Sequence, residues 1–283
     1  MLEERHFTCG DTDVTRRIGH VESVVTHPSI PARPKISVST EDEKVVAMAR
    51  ADGIAILPDL LDADELAKIR RQFDQAYLDT GKGPGKPGTR DSISGEALLR
   101  YPALANLFIH PRILDIVAAI LSDDNPWLWQ LKTNRYTPEH PGVRKHTDGF
   151  PGEISPPFTR QAMAVFLDDI SVDSGALTYV RGTHALHYED PAVPSRQAPS
   201  KENIELGEYI PAELKAGSVL FRVPEVWHAV IPIHHLRRYV TGSYATRGEV
   251  SVMMAEKIRG VSEKRASVPA VEIPAEFRKI LSY

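Results

Sequence analysis

The spacing of hydrophobic positions changes part-way along the chain. Residues 43–50 are patterned as a short helix. The apolar run that follows, over 53–57, is bounded by Gly53 and broken by Pro58, which predicts a short strand. Asp62 with Glu65 three residues on then marks a helix start, because the two side chains can satisfy first-turn amides reciprocally. Leu66, Ile69, Phe73 and Tyr77 recur at spacings of three and four, one face of a helix ending by Thr80 or Gly81. The stretch 81–88, GKGPGKPG, predicts a flexible loop that could serve as a lid or rim. A second helical period covers 111–121, with Ile113, Ile116, Val117 and Ile120 on its apolar face. After Pro126 short β-type runs take over, at 128–136, 162–167, 176–180, 218–223 and 238–245, separated by Asp, Gly, Pro and Ser. Such runs predict a sandwich or barrel. The tail from Met253 returns to a helical or irregular pattern and is expected to pack outside.

Composition narrows the class without naming a function. The polar stretch 1–42, with Pro28, Pro31 and Pro34, predicts an N-terminal arm, leaving 43–283 as a single domain. A net charge of -4 and a pI near 6.3 offer no basic field for nucleic acid. Cys9 is the single cysteine, so neither a disulfide nor a thiolate metal site can be built within the chain. No apolar run reads as the ~20 residues of a membrane span, and the charged N-terminus lacks a signal-peptide core. We therefore expect a cytoplasmic protein with neither membrane nor nucleic-acid partners.

The candidate chemistry lies in VRKHTDGF. His146 and Asp148 are two residues apart, and on an extended segment such residues face the same way. His228, after the strand-like run GSVLFRV, is the candidate third ligand. Two imidazoles and one carboxylate on one face of an iron leave positions open for a co-substrate and O₂. The His-x-Asp pair alone is a weak signal in a chain with 11 histidines. His184 and His187 read as turn or surface residues, and His234 and His235 as loop residues. Gln130, Lys132 and Asn134 alternate along one face of a predicted strand, which suggests that this face lines a cavity.

Several blocks together resemble the phytanoyl-CoA dioxygenase-like family of Fe(II)/2-oxoglutarate oxygenases. They are DGIAILPDLLDADELAKIRRQFD, WQLKTNRYTPEHPGVRKHTDGF, AVFLDDISVDSGALTYVRGTH, GSVLFRVPEVWHAV and RRYVTGSYA. The resemblance implies a mainly β fold with flanking helices, a double-stranded β-helix of jelly-roll, cupin-like type. It implies metal ligands at His146, Asp148 and His228, with Fe(II) and 2-oxoglutarate as cofactors. Asp148 points to a hydroxylase or other oxidase, since related halogenases lack this carboxylate. The distal carboxylate of 2-oxoglutarate falls to Arg237 or Arg238, which face opposite ways on a regular strand, Arg237 being favoured. Gln130 and Asn134 match further co-substrate contacts. The implied reaction releases succinate and CO₂ while a small molecule is oxidised.

The chain departs from the family pattern at Ala229 and Val230, and again at Val180 to His184. Around the metal motif, Lys132, Arg144, Lys145, Phe150, Phe158, Arg160, Arg222 and Trp227 are candidates for a cationic and aromatic pocket. Such a pocket would take an anionic or amphipathic small molecule. A cupin-like metal enzyme without 2-oxoglutarate, or a non-catalytic binding member of the fold, are the alternatives.

Overall fold

Ser39 starts the first helix by accepting the Asp42 amide on its hydroxyl. The computed structural model describes residues 38–150, 152–266 and 273–282. The expected arm thus lies mostly outside the described residues, as does Cys9, and residues 40–42 belong to helix α1, Thr40–Asp52. Gly53 closes α1 at φ 78°, and a Cβ there would come within 2.7 Å of the His184 ring, so the tight passage into β1, Ile54–Leu57, requires glycine. Helix α2, Ala63–Asp79, opens on the expected reciprocal cap between Asp62 and Glu65. Strand β2, Arg90–Ser94, and helices α3, Pro102–Phe108, and α4, Pro111–Leu121, complete the first half. The second half carries β3 Trp127–Tyr136, β4 Val143–His146, β5 Arg160–Phe166, β6 Leu177–Tyr179, α5 Lys201–Leu206, β7 Ile210–Ala212, β8 Val219–Arg222, β9 His228–Val230 and β10 Arg237–Ala245. Helices α6, Val252–Ala266, and α7, Ala275–Leu281, follow.

The strands form two antiparallel sheets. The larger has the order β1-β8-β5-β10-β3-β2 and the smaller β4-β9-β6-β7. This is the expected mainly β architecture with flanking helices. Period-two alternation gives the larger sheet two different faces. Val219, Phe221, Val240 and Tyr244 join Phe73, Phe108, Ile116 and Ile120 of the helices in one apolar cluster. The Tyr244 hydroxyl donates to the Phe108 carbonyl at 2.8 Å and pins helix to sheet. Leu220, Tyr239 and Phe166 face the other way, toward the smaller sheet. The stretch Pro102–Leu121 is apolar and long enough to cross a membrane by composition, a feature the sequence reading passed over. It folds as α3 and α4, whose apolar residues pack into the core cluster.

The predicted strands recur with shifted ends, whereas β2 and β4 are short and mostly polar and β7 and β9 only three residues long, so none announces itself. The 81–88 loop departs from expectation. Arg135 donates to the carbonyls of Lys82 and Gly83, and Thr137 to that of Lys86, so the loop is tied to β3 and does not line the cavity described below.

Candidate metal centre

The antiparallel pairing of β4 with β9 sets His146 directly opposite His228. Gly142 makes this pairing possible: at φ 87° its backbone passes so close to β9 that a Cβ would sit 2.1 Å from the Val230 carbonyl oxygen. The two imidazole rings are 4.1 Å apart, centre to centre. Each ring is held through Nδ1. His146 Nδ1 lies 2.8 Å from the Arg144 carbonyl, and His228 Nδ1 lies 2.9 Å from that of Val226. Nδ1–H therefore donates in both, and the Nε2 lone pairs are left to face Asp148. The Nε2 atoms stand 3.4 and 3.8 Å from the Asp148 carboxylate, and one ligand atom from each residue lies within 4.8 Å of the others.

Arg222, on β8, donates to Asp148 Oδ2 at 2.5 Å. Burial opposes a charge on Asp148, but Arg222, with help from His146 and His228, outweighs it and holds the carboxyl well below its usual range. Burial, reinforced by Arg222, pushes His228 well below the ordinary imidazole range, so it stays in the neutral form that binds metals. Two imidazole nitrogens and one ionised carboxylate suit Fe(II) and leave the cavity side open.

A cavity of about 440 Å³ lies between the sheets in front of these residues. Its floor is a ladder from β3 and β10, with rungs Tyr136–Arg237, Asn134–Tyr239, Lys132–Thr241 and Gln130–Ser243. Arg237 closes one end. It is only 2% exposed, and Tyr136, Phe166 and Tyr239 surround its guanidinium at 5.3–5.6 Å. Its Nη1 donates to the Gly175 carbonyl at 2.8 Å, its Nε has no partner, and no carboxylate pairs with it among the described residues. A buried cation without a counter-charge is costly, and this one lines the cavity.

The chain matches the phytanoyl-CoA dioxygenase (PhyH) family over residues 49–233. It belongs to that family. Solved structures share the fold. The non-haem alpha-ketoglutarate-dependent epimerase SnoN of nogalamycin biosynthesis is 22% identical, with a TM-score of 0.57 over 73% of this chain and 83% of its own. HygX of Streptomyces hygroscopicus, solved with nickel and 2-oxoglutarate, is 17% identical, with a TM-score of 0.56 over 75% of this chain and 88% of its own. EctD of S. alaskensis, solved with bound Fe, is 18% identical, with a TM-score of 0.58 over 77% of this chain and 80% of its own. Among curated proteins no match is found.

In this PhyH-family chain several expected pocket residues lie elsewhere. Arg238 faces the opposite side of β10 from Arg237, as strand parity demands, and spends its guanidinium on Asp168 and Asp74. Arg238 thus lies outside the cavity, away from any co-substrate there. Arg144 is exposed and outside the cavity, because the β4–β9 register slips between Val143 and His146 and breaks the alternation. Trp227, next to His228, points to the far side and donates its indole N–H to His187 in a separate buried cluster. Phe158 is core, packed against Tyr188 and His184. Lys145 lies over the Tyr209 ring instead of the cavity. His184 and His187, expected in a turn or at the surface, do lie in a 3-10 turn, Thr183–His187, but it is buried, leaving them 1% and 4% exposed.

Other expected residues do line the cavity: Gln130, Lys132, Asn134, Phe150, Arg160 and Arg222. Arg160 is ion-paired with Glu225 and lies over the Phe150 ring at 4.6 Å. Lys132 is half-buried, and burial, with Arg90 nearby, lowers its pKa. Sequence reasoning missed Arg90, Tyr136, Phe166, Tyr239 and Lys257, all in the cavity wall. Arg90 donates twice to Asn134 Oδ1, at 3.0 and 3.1 Å, and Ser92 donates to the same atom. The oxygen of Asn134 is thus saturated, and its NH₂ is the group still able to donate. Tyr239 could have been found, since it shares the parity of Arg237. Arg90 sits on a five-residue polar edge strand that carries no such signal.

Proposed function

We propose that this chain is an Fe(II)- and 2-oxoglutarate-dependent oxygenase that hydroxylates a small molecule. One observation carries the reading: the converging Nε2, carboxylate and Nε2 atoms of His146, Asp148 and His228 share a cavity with a buried arginine that has no carboxylate of its own. Fe(II) bound with 2-oxoglutarate would let O₂ serve as the oxidant, one oxygen atom going to succinate as 2-oxoglutarate loses CO₂ and the other to the substrate's C–H bond. The chain's residues do the rest. His146, Asp148 and His228 hold the metal on one face. Arg222 fixes the rotamer and charge of Asp148.

Arg237 receives the distal carboxylate, its Nη1 anchored on Gly175 and its Nε free to donate. Tyr136, Phe166, Tyr239, Leu177 and Leu220 line the same cavity and keep water from the co-substrate's methylenes. Asn134 offers its amide to the co-substrate's polar atoms, while Gln130, three rungs along the floor from Arg237 and too far for the co-substrate contact expected of it, lies with Lys132 and Arg160 on the substrate side. No side chain needs to act as acid or base, so positioning and exclusion of water are the protein's contributions.

Anaerobic addition of Fe(II) and 2-oxoglutarate tests the reading. A weak visible charge-transfer band is expected in the wild type and absent in His228→Ala. A colourless wild-type complex at saturating co-substrate overturns it. Turnover of a screened substrate should add one oxygen atom to the product. An epimerised or ring-closed product of unchanged oxygen count would keep the oxygenase and discard the hydroxylase.

A further inference from the structure

We propose that the substrate carries an anionic group, a carboxylate or a phosphate, and that Lys257 of helix α6 binds it. The proposal rests on the oxygenase reading above. It concerns the end of the cavity opposite Arg237, where Trp129, Gln130, Phe150, Arg160, Ser243 and Lys257 form the wall. Arg237 begins β10 and Ser243 lies six residues along it, so roughly 20 Å of strand separate the two ends. The co-substrate's acid group and the substrate's acid group thus have separate places.

Helix α6 is firmly placed. Met254 and Ile258 are buried with Trp127 and Ala245, and Phe150 packs against this cluster. Arg265 donates to the carbonyls of Leu128, Trp129 and Leu281 and to Glu96, tying the end of α6 to β3. Lys257, between Met254 and Ile258, is carried to the cavity edge by a helix that is fixed on both sides.

The cations of this region divide into matched and unmatched. Arg160 is matched by Glu225 and Arg222 by Asp148, whereas Lys132, one rung nearer Arg237, makes no ion pair among the described residues. Lys257 has no ion pair and no hydrogen bond among the described residues. Its helical neighbours three and four positions away are Met253, Met254, Gly260 and Val261, none of them acidic. A second donor is also unspent: the Trp129 indole N–H is buried without a partner in the same wall. The Trp129 and Phe150 rings supply apolar faces beside these donors, so the fitting ligand has an apolar body and a charged end. Helix α6 lies beyond the segment 49–233 that matches the family, so this anchor belongs to this chain's own C-terminal part.

Phenylacetate and phenylacetamide, alike in shape and unlike in charge, test the proposal. Each is titrated against the full-length protein loaded anaerobically with Fe(II) and 2-oxoglutarate, binding being read from tryptophan fluorescence. Phenylacetate is expected to bind about fivefold more tightly or better, with a preference that weakens as salt rises. Lys257→Gln should abolish the preference and Lys257→Arg should keep it. Equal affinities in the wild type, no binding of either probe, or a preference that survives Lys257→Gln overturns the proposal. The charge-transfer band, recorded in the same samples, separates the two readings. If the band is present without a charge preference, only the anion site fails. If it is absent from the wild type, the oxygenase reading falls and this proposal with it.

Discussion

Replacing Arg237 by methionine should separate stability from binding. In the ligand-free protein the guanidinium is 2% exposed and has one hydrogen bond, to Gly175. An uncompensated buried charge costs several kcal/mol even after relaxation. The Gly175 bond returns about 1.5–3 kcal/mol, as hydrogen bonds to charged groups do, and the three surrounding rings about 1 kcal/mol or more. These terms nearly cancel, so ligand-free Arg237→Met should unfold at or above the wild-type temperature. With co-substrate the sign reverses. A carboxylate paired with a desolvated arginine is worth about 3–5 kcal/mol when the partner is removed, which raises the Kd for 2-oxoglutarate by roughly 150- to 5,000-fold. At a concentration of 100 times the wild-type Kd, the wild type gains about 2.7 kcal/mol, or roughly 5–10 °C for a chain of this size. The variant at that same concentration gains under about 0.5 kcal/mol. Differential scanning fluorimetry with and without 2-oxoglutarate, in the presence of a redox-inert divalent metal, reads both numbers. A ligand-free loss above about 2 kcal/mol, or a wild-type thermal shift retained by the variant, refutes the reasoning.

Arg238→Ala should leave the 2-oxoglutarate Kd unchanged and cost about 1–2 kcal/mol in urea denaturation, above the surface median because the side chain is only 13% exposed between Asp168 and Asp74; a co-substrate defect would reverse the assignment of the two arginines. Arg222→Gln removes the cation that holds Asp148, and Fe(II) affinity by anaerobic titration should fall about 10–100-fold; unchanged affinity would show that Asp148 positions itself. His187 is pushed down to about 4 by burial, below its unfolded value. The unfolded chain therefore binds the extra proton first as pH falls, so stability is full above about 6.5 and is lost toward 4. Between pH 7.5 and 5 the wild type should lose about 2 kcal/mol more than His187→Gln, which keeps an acceptor for Trp227; parallel urea midpoints across that range would refute it.

What the sequence could reveal depended on how local the cause was. The Asp62–Glu65 cap, the spacing of Leu66, Ile69, Phe73 and Tyr77, and the i, i+2 relation of His146 and Asp148 are properties of one segment, and they were legible. Arg144 shares the parity of His146, yet it left the site because of a slip in pairing between two strands far apart in sequence. Trp227 was drawn in by its nearness to His228, although adjacent strand residues face opposite ways. The same parity decides between Arg237 and Arg238, and it could be read once Val240 and Tyr244 were known to face the helices. Nothing local identifies β2 as the neighbour of β3, so Arg90 stayed hidden. Lys257 stayed hidden too, because only the packing of α6 on Trp127 carries it to the cavity.

Charge pairing explains which of these residues are committed to structure and which are left for ligands. Inside the cavity wall, Arg160 meets Glu225 and Arg222 meets Asp148, and on the outer face of β10 Arg238 meets two aspartates. A chain able to match those cations had the means to match all of them. Arg237 instead lies in an aromatic cage with a carbonyl as its one partner, and Lys257 stands on an exposed helix face without an ion pair among the described residues. Desolvating an arginine without a counter-ion lowers stability, so such a residue persists when a ligand completes it. Arg90 and Lys132 also line the cavity without a carboxylate partner among the described residues, so the unmatched cations run along the floor from Arg237 to Lys257, with the His–Asp–His triad in the wall. That order fits a diacid reaching from Arg237 toward the metal on one side and, on the other, the proposed substrate whose own charge holds it at a fixed distance from the reacting centre.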